Sequence, residues 1–298
     1  MALAADLRVA LVQMRPVLGD LDRNLEAHHA WLDRAAAEEA ALVVFPEPST
    51  SGYFLRDLTQ EIATGLDDPR IRSLVERSRE RSLLFGMAER SEDHRIFNSA
   101  VFCEDGEVLQ VHRKVQLPDY GIFEEGRYFA AGDRFVTVRS RLGRFGVLIC
   151  EDAWHLPNAW LHALQGADAL LIPSASPARG VDTEEPELSS HRSWRLLTEA
   201  LATFLRSWVV HVNRVGFEDG ALYWGGSRVC TPFGHAASEA PGDEEALITA
   251  ALEDESLFRA RGFAPLLRDA RPDVVRRGLA RILEDPDLLR ALGKDGEG

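Results

Sequence analysis

The sequence predicts an α/β protein in which helices cover a large system of mixed β-strands. Short β-branched apolar runs alternate with longer amphipathic stretches, which indicates strands that alternate with helices. Three connections between apolar runs instead have the composition of tight hairpin turns, namely Asp105-Gly106, Leu142-Gly143 and Pro232-Phe233-Gly234. Because βα units and hairpins both occur, we expect mixed sheets rather than a purely parallel, doubly wound sheet.

The individual elements follow from local patterns. Apolar runs of strand length predict strands at residues 7–14, 41–47, 83–88, 99–103, 108–115, 135–138, 145–150, 169–174, 209–215, 227–231 and 246–252. Amphipathic segments predict helices at residues 21–40, 71–81, 159–165, 190–207 and 272–284. In the first helix Leu21, Leu25 and Leu32 recur at helical spacing, and either Asp20 or Asp22 can cap its start.

We expect one domain over residues 1–298, because no proline- or glycine-rich linker, repeat or sharp change of composition divides the chain. Its core should cover about residues 7–253. A helical extension and tail should follow at 254–298, with the last residues, 294–298, frayed. An acidic loop at 180–190 follows a strand end that should border the functional site.

The composition, 45% hydrophobic and 28% charged, is typical of a soluble globular protein. The formal net charge of −14 argues against nucleic acid or an anionic membrane surface as a partner. No apolar run is long enough to span a membrane, the N-terminal residues lack a signal-peptide pattern, and the histidines lack metal-binding spacing. The cysteines Cys103, Cys150 and Cys230 form no Cys-x-x-Cys pair, so we expect a cytoplasmic protein.

Three residues at or near predicted strand ends can together cleave an amide. This chemistry needs a nucleophile, a proton shuttle and positive charge for the developing oxyanion. Cys150 would supply the thiolate, Glu47 the general base, and Lys114 the oxyanion contact together with the backbone N–H of Glu151. Lys114 beside the thiol should also favour the thiolate and offset the opposing field of Glu47. Glu125 would hold Lys114 in place.

Each residue also has a purely structural explanation. A cysteine at the end of an apolar strand is often a small buried hydrophobe, and a lysine in a hairpin strand is usually solvated. Cys103 serves as a comparison, since its Cys-Glu-Asp sequence repeats that of Cys150 but leads into a hairpin. We interpret Cys103 and Cys230 as packing residues. The occurrence of Glu47, Lys114 and Cys150 in this order favours catalysis.

Three stretches resemble the Glu–Lys–Cys signature of the carbon–nitrogen hydrolase (nitrilase) superfamily. They are Phe45-Pro46-Glu47, His112-Arg113-Lys114-Val115 with Leu117-Pro118, and Ile149-Cys150-Glu151-Asp152. Weaker resemblance to the superfamily extends from Arg8 to about Glu253.

The resemblance implies a four-layer α-β-β-α sandwich of the nitrilase type that pairs into homodimers and uses no metal or organic cofactor. It implies that Glu47 is the base, Lys114 the oxyanion partner and Cys150 the nucleophile. The second glutamate of the family best matches Glu125. Glu124 competes for that match, and only geometry can decide between them.

Within the superfamily, residues 117–123 and 212–216 look most like the glutaminase portion of glutamine-dependent NAD synthetases. That likeness implies Tyr120, Phe123, Glu151 and Ser176 as substrate contacts, although Tyr120 and Phe123 can equally serve to pack the loop. The sequence has no Ser-Gly-Gly-x-Asp-Ser type of loop for ATP pyrophosphate, so we expect a free-standing amidase rather than half of a synthetase.

The sequence therefore favours a thiol hydrolase that cleaves a small carboxamide and releases ammonia through an acyl-enzyme. N-carbamoyl hydrolysis would need a cationic contact for a carboxylate, for which Arg179 and Arg214 are candidates. Nitrile hydrolysis uses the same thioester. Two further interpretations are a catalytically idle binding or assembly module and a subunit that supplies ammonia to a separate synthetase.

Overall fold

The structure is a computed structural model that describes residues 2–5, 7–180 and 188–291. Most of the acidic loop expected at 180–190, and all of the tail expected at 294–298, lie outside the described residues. Within the described part of the chain, no helix has the length and apolar character needed to cross a membrane.

Strands and helices alternate along the chain, with several hairpins between them. The strands are β1 (Leu7–Gln13), β2 (Leu42–Val44), β3 (Ser82–Arg90), β4 (Ile96–Glu104), β5 (Glu107–Arg113), β6 (Val138–Ser140), β7 (Gly143–Val147), β8 (Ala169–Ser174), β9 (Trp208–Asn213), β10 (Val215–Glu218), β11 (Ala221–Trp224), β12 (Arg228–Cys230), β13 (Ala236–Glu239) and β14 (Ala246–Leu252). The helices are α1 (Leu21–Ala37), α2 (Thr59–Ile62), α3 (Pro69–Glu76), α4 (Glu125–Tyr128), α5 (Leu156–Leu164), α6 (Ser189–Leu205), α7 (Asp254–Phe263), α8 (Pro272–Leu283) and α9 (Pro286–Ala291). Short 3₁₀ helices occupy Arg56–Leu58, Arg77–Arg79 and Cys150–Trp154.

Two six-stranded mixed sheets form the centre of the molecule. The first has the order β14-β1-β2-β3-β4-β5 and the second the order β13-β12-β9-β8-β7-β6. In each sheet three central strands run parallel, β1–β2–β3 in one and β7–β8–β9 in the other, and antiparallel partners complete the edges. The expectation of mixed sheets is confirmed.

The apolar residues divide into three layers of core. Between the sheets, side chains of the first sheet pack against those of the second, and the rings of Phe102 and Phe145 stack there with centroids 5.7 Å apart. Helices α1 and α3 cover the outer face of the first sheet, and α5 and α6 cover that of the second. The four-layer α-β-β-α sandwich is therefore confirmed. Because both faces of the central strands are covered, these strands have continuous rather than alternating apolar patterns.

Local sequence patterns correctly predicted one helix cap and three hairpin turns. Asp20 caps α1, since its side chain accepts a hydrogen bond from the backbone N–H of Arg23. Antiparallel pairs flank all three expected hairpin turns: β4 with β5, β6 with β7, and β12 with β13. At the first of these, Asp105 and Gly106 both have positive φ, of 56° and 81°, as a two-residue turn requires.

Several predicted boundaries were wrong. The strand expected at 145–150 ends at Val147, and the strand expected at 41–47 ends at Val44, because the chain leaves each sheet before the polar residue that it presents. The strand expected at 209–215 is divided into β9 and β10, and only Val138 of the 135–138 prediction lies in a strand. The hairpin β10–β11 was not predicted, and helices α7 and α9 were expected only within a helical extension at 254–298, without bounds of their own, since neither apolar periodicity nor turn composition distinguishes them.

Candidate active site

Segments from both sheets bring the predicted catalytic residues to one edge of the sandwich. Glu47 follows β2 and Lys114 directly follows β5, so both come from the first sheet. Cys150 lies shortly after β7 of the second sheet, and Glu125 begins α4 in the connection between the sheets. Side chains that are distant in sequence therefore meet only because the two sheets pack face to face.

Lys114 occupies the centre of a buried ion-pair network. Its Nζ donates to Oε1 of Glu47 at 2.7 Å and to Oε1 of Glu125 at 2.6 Å. Its side chain is 1% exposed, unlike the solvated lysine that a hairpin strand usually carries. Burial alone would lower the pKa of Lys114, but the attraction of Glu125 and Glu47 outweighs burial and holds that pKa well above its ordinary value. The ammonium group is therefore charged at neutral pH.

Glu47 is held by donors from both sheets. Besides Lys114, the side-chain amide of Asn98 on β4 donates to its Oε1 at 2.7 Å. The backbone N–H of Ala175, which follows β8, donates to its Oε2 at 2.9 Å. Because both oxygens are engaged and the side chain is buried, the carboxylate has one fixed orientation.

The geometry selects Glu125 over Glu124 as the second glutamate beside Lys114. Glu125 is buried, contacts Lys114 and accepts a hydrogen bond from the hydroxyl of Tyr53, whereas Glu124 is exposed. Burial raises the pKa of Glu125 to about 7; Lys114 opposes this shift and the charge of Glu47 reinforces it. Its Oε2 has no hydrogen-bond partner among the described residues.

Cys150 opens the 3₁₀ turn after β7 with a backbone φ of 44°, a conformation that non-glycine residues rarely adopt. Burial raises the pKa of its thiol well above the ordinary value, and Glu47 adds to the shift. Lys114 and the N–H of Ala175 lower that pKa without reversing the change. Lys114 therefore favours the thiolate, as expected, but burial and the charges of Glu47 and Glu125 outweigh its effect on the pKa of the thiol. The resting thiol is protonated and needs a base when it attacks.

Asp152 connects the nucleophile turn to the lysine segment. Its fully buried carboxylate accepts hydrogen bonds from the backbone N–H of Val115 at 3.1 Å and of Gln116 at 2.9 Å. Its other oxygen accepts from the N–H of Ile149 at 3.1 Å and lies 2.8 Å from Nε2 of His112. One side chain therefore joins the backbone just before Cys150 to the backbone just after Lys114.

A cavity of about 190 Å³ leads to Cys150. It is lined by all four residues that the resemblance implied as substrate contacts, Tyr120, Phe123, Glu151 and Ser176. The hydroxyl of Tyr120 donates to Oε2 of Glu151 at 2.9 Å, so these two side chains form one polar wall. A larger depression of about 1090 Å³ lies elsewhere and is lined by none of the four catalytic candidates.

Of the two arginines considered as carboxylate contacts, the structure brings only one to the cavity. Arg179 lines it. Arg214 is fully buried in an ion pair with Glu218, with its guanidinium over the ring of Tyr223, and does not line the cavity.

Sequence reasoning missed the supporting residues of the site, chiefly Asn98, Tyr53 and Asp152. Asp152 stands two residues after the cysteine, and Asn98 is a polar residue within an apolar strand pattern, so each left a weak signal. Tyr53 left no signal, because only tertiary packing brings it to Glu125. Among the described residues, no cluster of three or more His, Cys, Asp or Glu side chains is arranged to hold a metal ion.

Comparison with known proteins identifies the family of the chain. The family described as carbon-nitrogen hydrolase matches residues 8–261, and the chain belongs to that (nitrilase) superfamily. It is a C–N hydrolase of the type that carries an active-site cysteine.

Similarity to particular members supports the likeness to NAD synthetases. The chain is 32% identical over 256 residues to a glutamine-dependent NAD(+) synthetase of Thermotoga maritima, an alignment that covers 84% of this chain and 43% of the relative. The chain thus spans less than half the length of that relative. It is 29% identical over 303 residues to an omega-amidase of Saccharomyces cerevisiae, which covers 91% of this chain and 96% of that one.

A solved structure shows the same fold around a reactive cysteine. It is a mutant of the amidase from Nesterenkonia sp. AN1, in which acrylamide has added to the active-site cysteine. It superposes with a TM-score of 0.76 at 25% identity and covers 91% of this chain and 99% of its own.

Proposed function

We propose that this protein hydrolyses a small carboxamide, R–CO–NH₂, and releases ammonia through a thioester on Cys150. The observation that carries the proposal is the charged, buried Lys114 held between Glu47 and Glu125 beside the Cys150 thiol. A buried cation at this position supplies the stabilisation that a developing oxyanion needs. The named activities of the omega-amidase and amidase relatives support the same reaction.

In the acylation step Glu47 takes the thiol proton as Sγ attacks the carbonyl carbon. The carbonyl oxygen becomes an oxyanion, which Lys114 and the backbone N–H of Glu151 stabilise. Glu47 then gives its proton to the amide nitrogen, the C–N bond breaks, and ammonia leaves. Because the resting thiol is protonated, this transfer is required for attack, and such general-base help is worth about 10²–10⁴-fold in rate.

In the deacylation step water replaces ammonia at the thioester. Glu47 removes a proton from the water, whose oxygen adds to the carbonyl carbon. The C–S bond then breaks, the sulfur regains the proton from Glu47, and the carboxylic acid product leaves. Glu125 does not touch the reacting atoms in this scheme; it positions Lys114 and keeps it charged.

The first test measures ammonia release by the wild type and by Cys150→Ala with short amides, glutamine, N-carbamoyl amino acids and simple nitriles. We expect turnover of amides by the wild type and none by the variant. Turnover confined to nitriles or N-carbamoyl compounds would contradict the carboxamide assignment. An inert wild type whose Cys150 reacts with iodoacetamide no faster than Cys103 and Cys230 would favour a binding module. Activity that rises only with an added synthetase would indicate ammonia supply.

We further propose that the protein forms homodimers through the outer face of α5 and α6. These helices contact each other and expose large apolar side chains, including Leu156 at 62%, Leu196 at 56% and Phe204 at 67% exposure. Such a group is unusual on a monomer surface. Sedimentation should show a dimer that Phe204→Asp weakens. Phe217→Asp, on the equally exposed β10–β11 hairpin, is the control, and a monomeric wild type contradicts the proposal.

A further inference from the structure

The backbone just after β8 contacts both the base and the nucleophile of the proposed reaction. The N–H of Ala175 donates to Oε2 of Glu47 at 2.9 Å. The same N–H forms a hydrogen bond with the sulfur of Cys150 and lowers the pKa of that thiol. One backbone donor therefore lies between the group that gives the proton and the group that takes it.

The two oxygens of Glu47 differ in their remaining capacity to accept a proton. Oε1 accepts from Nζ of Lys114 and from the side-chain amide of Asn98, each at 2.7 Å. Among the described residues, Oε2 accepts from the N–H of Ala175 alone. A carboxylate oxygen has two acceptor sites, so Oε2 is the oxygen that can take the thiol proton.

Ala175 lies beyond the end of β8, where the side chain of Asn213 supports the chain in place of a strand. The pairing of β8 with β9 ends at Ser174 and Asn213. Past this point Oδ1 of Asn213 accepts from the N–H of Ser176 at 2.8 Å, and Nδ2 donates to the carbonyl of Ser176 at 3.3 Å. Asn213 thus holds the residue next to Ala175 at both of its backbone polar groups.

Asn213 is itself fixed in a buried polar chain that joins the two sheets. Its N–H donates to Oγ of Ser227 at 3.0 Å, and the N–H of Ser227 donates to Oε1 of Gln13 on β1 at 2.9 Å. Nδ2 of Asn213 also donates to the carbonyl of Gly225 at 3.0 Å. Both hydrogens of the side-chain amide and its oxygen are therefore engaged, which gives the buried side chain one orientation.

From these contacts we propose that Asn213 is a positioning residue for the hydrolysis proposed at Cys150. By holding Ser176, it keeps the N–H of Ala175 between Oε2 of Glu47 and the sulfur of Cys150. The inference rests on the proposed function, in which the thiol proton moves to Glu47. As it moves, Oε2 becomes neutral and negative charge develops on the sulfur. The hydrogen bond from Ala175 to the sulfur then strengthens, because hydrogen bonds to charged groups are the stronger ones.

Alkylation of Cys150 tests the inference without requiring turnover. Iodoacetamide reacts with the thiolate, so the rate constant as a function of pH reports how readily the thiol loses its proton. We expect Asn213→Ala to lower this rate constant about 10-fold at a fixed pH below the midpoint and to move the profile about one pH unit upward. This is the size expected when a hydrogen bond to a charged group is weakened.

A milder variant carries the test if Asn213→Ala does not fold. Ser227→Ala keeps the side chain of Asn213 but removes the hydroxyl that contacts its backbone N–H and carbonyl. It should move the alkylation profile in the same direction, with a rate constant about 3-fold lower, because a hydrogen bond between neutral groups contributes less. Rate constants within about 2-fold of the wild type in the folded variants overturn the role of Asn213.

The matched control is Asn24→Ala, since Asn24 makes the same type of contacts elsewhere. Its Oδ1 accepts from the N–H of Val17 at 2.7 Å, and its Nδ2 donates to the carbonyls of Val17 and Thr50. It is also buried, at 2% exposure. Asn24→Ala should therefore lower the free energy of unfolding but leave the alkylation profile unchanged. An equal shift of the profile in this control means a general loosening of the fold and overturns the inference.

Kinetics distinguish failure of this inference from failure of the proposed function. Because Asn213 does not line the cavity that leads to Cys150, Asn213→Ala should lower kcat for ammonia release about 10-fold, with KM within about 2-fold of the wild type. Amide turnover by the wild type with an unchanged kcat and alkylation profile in Asn213→Ala overturns only the positioning role. A higher KM with unchanged kcat also overturns it and assigns Asn213 to the shape of the cavity. A shifted alkylation profile in a protein that cleaves no amide overturns only the amidase assignment.

Discussion

At the scale of single residues, the site depends on a buried cation that is stabilised by two carboxylates. A buried charge is costly unless it is paired, and Lys114 is paired twice. This arrangement explains why the lysine stays charged although burial alone would neutralise it. Burial, reinforced by the same carboxylates, raises the pKa of the Cys150 thiol, so the site holds a charged lysine beside a protonated thiol.

We expect Lys114→Ala to lower kcat/KM for the preferred amide by about 10²–10³-fold, because loss of one oxyanion donor costs on the order of 3 kcal/mol. The measurement is steady-state ammonia release, with circular dichroism as a check on folding. Arg113→Ala is the neighbouring control, since Arg113 pairs with Glu89 rather than with Glu47. Near-normal turnover by a folded Lys114→Ala protein would rule out the oxyanion assignment.

We expect an acidic limb in the pH profile of kcat/KM with an apparent pKa near that of Glu125, which burial raises to about 7. Protonation below this pH removes one of the two negative partners of Lys114. Glu125→Gln should lower kcat at neutral pH and abolish this limb, whereas Glu124→Gln, an exposed neighbour, should retain it. A limb that persists unchanged in Glu125→Gln belongs to another group.

At the scale of elements, the active site depends on how the turn after β7 is joined to the segment after β5. Asp152 makes this junction through four contacts, with the N–H groups of Ile149, Val115 and Gln116 and the ring of His112. Because Asp152 does not line the cavity that leads to Cys150, we propose that it is a positioning residue. We expect its contacts to set the separation of Cys150 and Lys114.

We expect Asp152→Ala to lower kcat by about 10²-fold with a smaller change in KM, since displacement of reacting groups by about 1 Å has this effect. Asp152→Asn should recover part of the loss, because its side-chain oxygen still accepts backbone hydrogen bonds. Asp133→Ala, which removes an exposed aspartate, is the control. If Asp152→Ala lowers stability and leaves the kcat of the folded fraction intact, the residue is only structural.

At the scale of the whole molecule, the sandwich creates the site and also buries histidines away from it. Burial lowers the pKa of His28 and His162 to about 4 and that of His211 to about 3. All three therefore stay neutral in the folded protein at pH values where the unfolded chain, with a histidine pKa near 6.5, binds protons. Their contribution to stability is complete above pH 6.5 and is lost as the pH falls toward 4. Glu125 acts in the opposite direction, because burial raises its pKa to about 7. Its contribution to the stability of the fold is complete below about pH 4.5 and is lost as the pH rises toward 7.

We expect the free energy of unfolding in urea to fall between pH 6.5 and pH 4 by about 1–3 kcal/mol for each buried histidine. His28→Gln should reduce this dependence on pH, because it removes one of the three groups. His94→Gln, at an exposed position, should not. A free energy of unfolding that is constant over this range would contradict the assignment of neutral, buried histidines.

Local sequence was sufficient for the parts of the fold and site that depend on neighbours in the chain. It determined the mixed sheets, the cap at Asp20 and the placement of Glu47, Lys114 and Cys150 near strand ends, because apolar periodicity and turn composition act over a few residues. The resemblance of three short stretches to one family extended this to the four-layer sandwich. These stretches lie at the strand ends that the fold brings together.

Only the tertiary structure decided which groups meet and how they titrate. It placed Glu125 rather than Glu124 beside Lys114 and Arg179 rather than Arg214 at the cavity, showed the junction at Asp152, and showed that burial outweighs the effect of Lys114 on the pKa of the Cys150 thiol. Burial and the distances between charges set each of these outcomes. Both quantities arise from the packing of segments far apart in the chain, so a local sequence pattern cannot contain them.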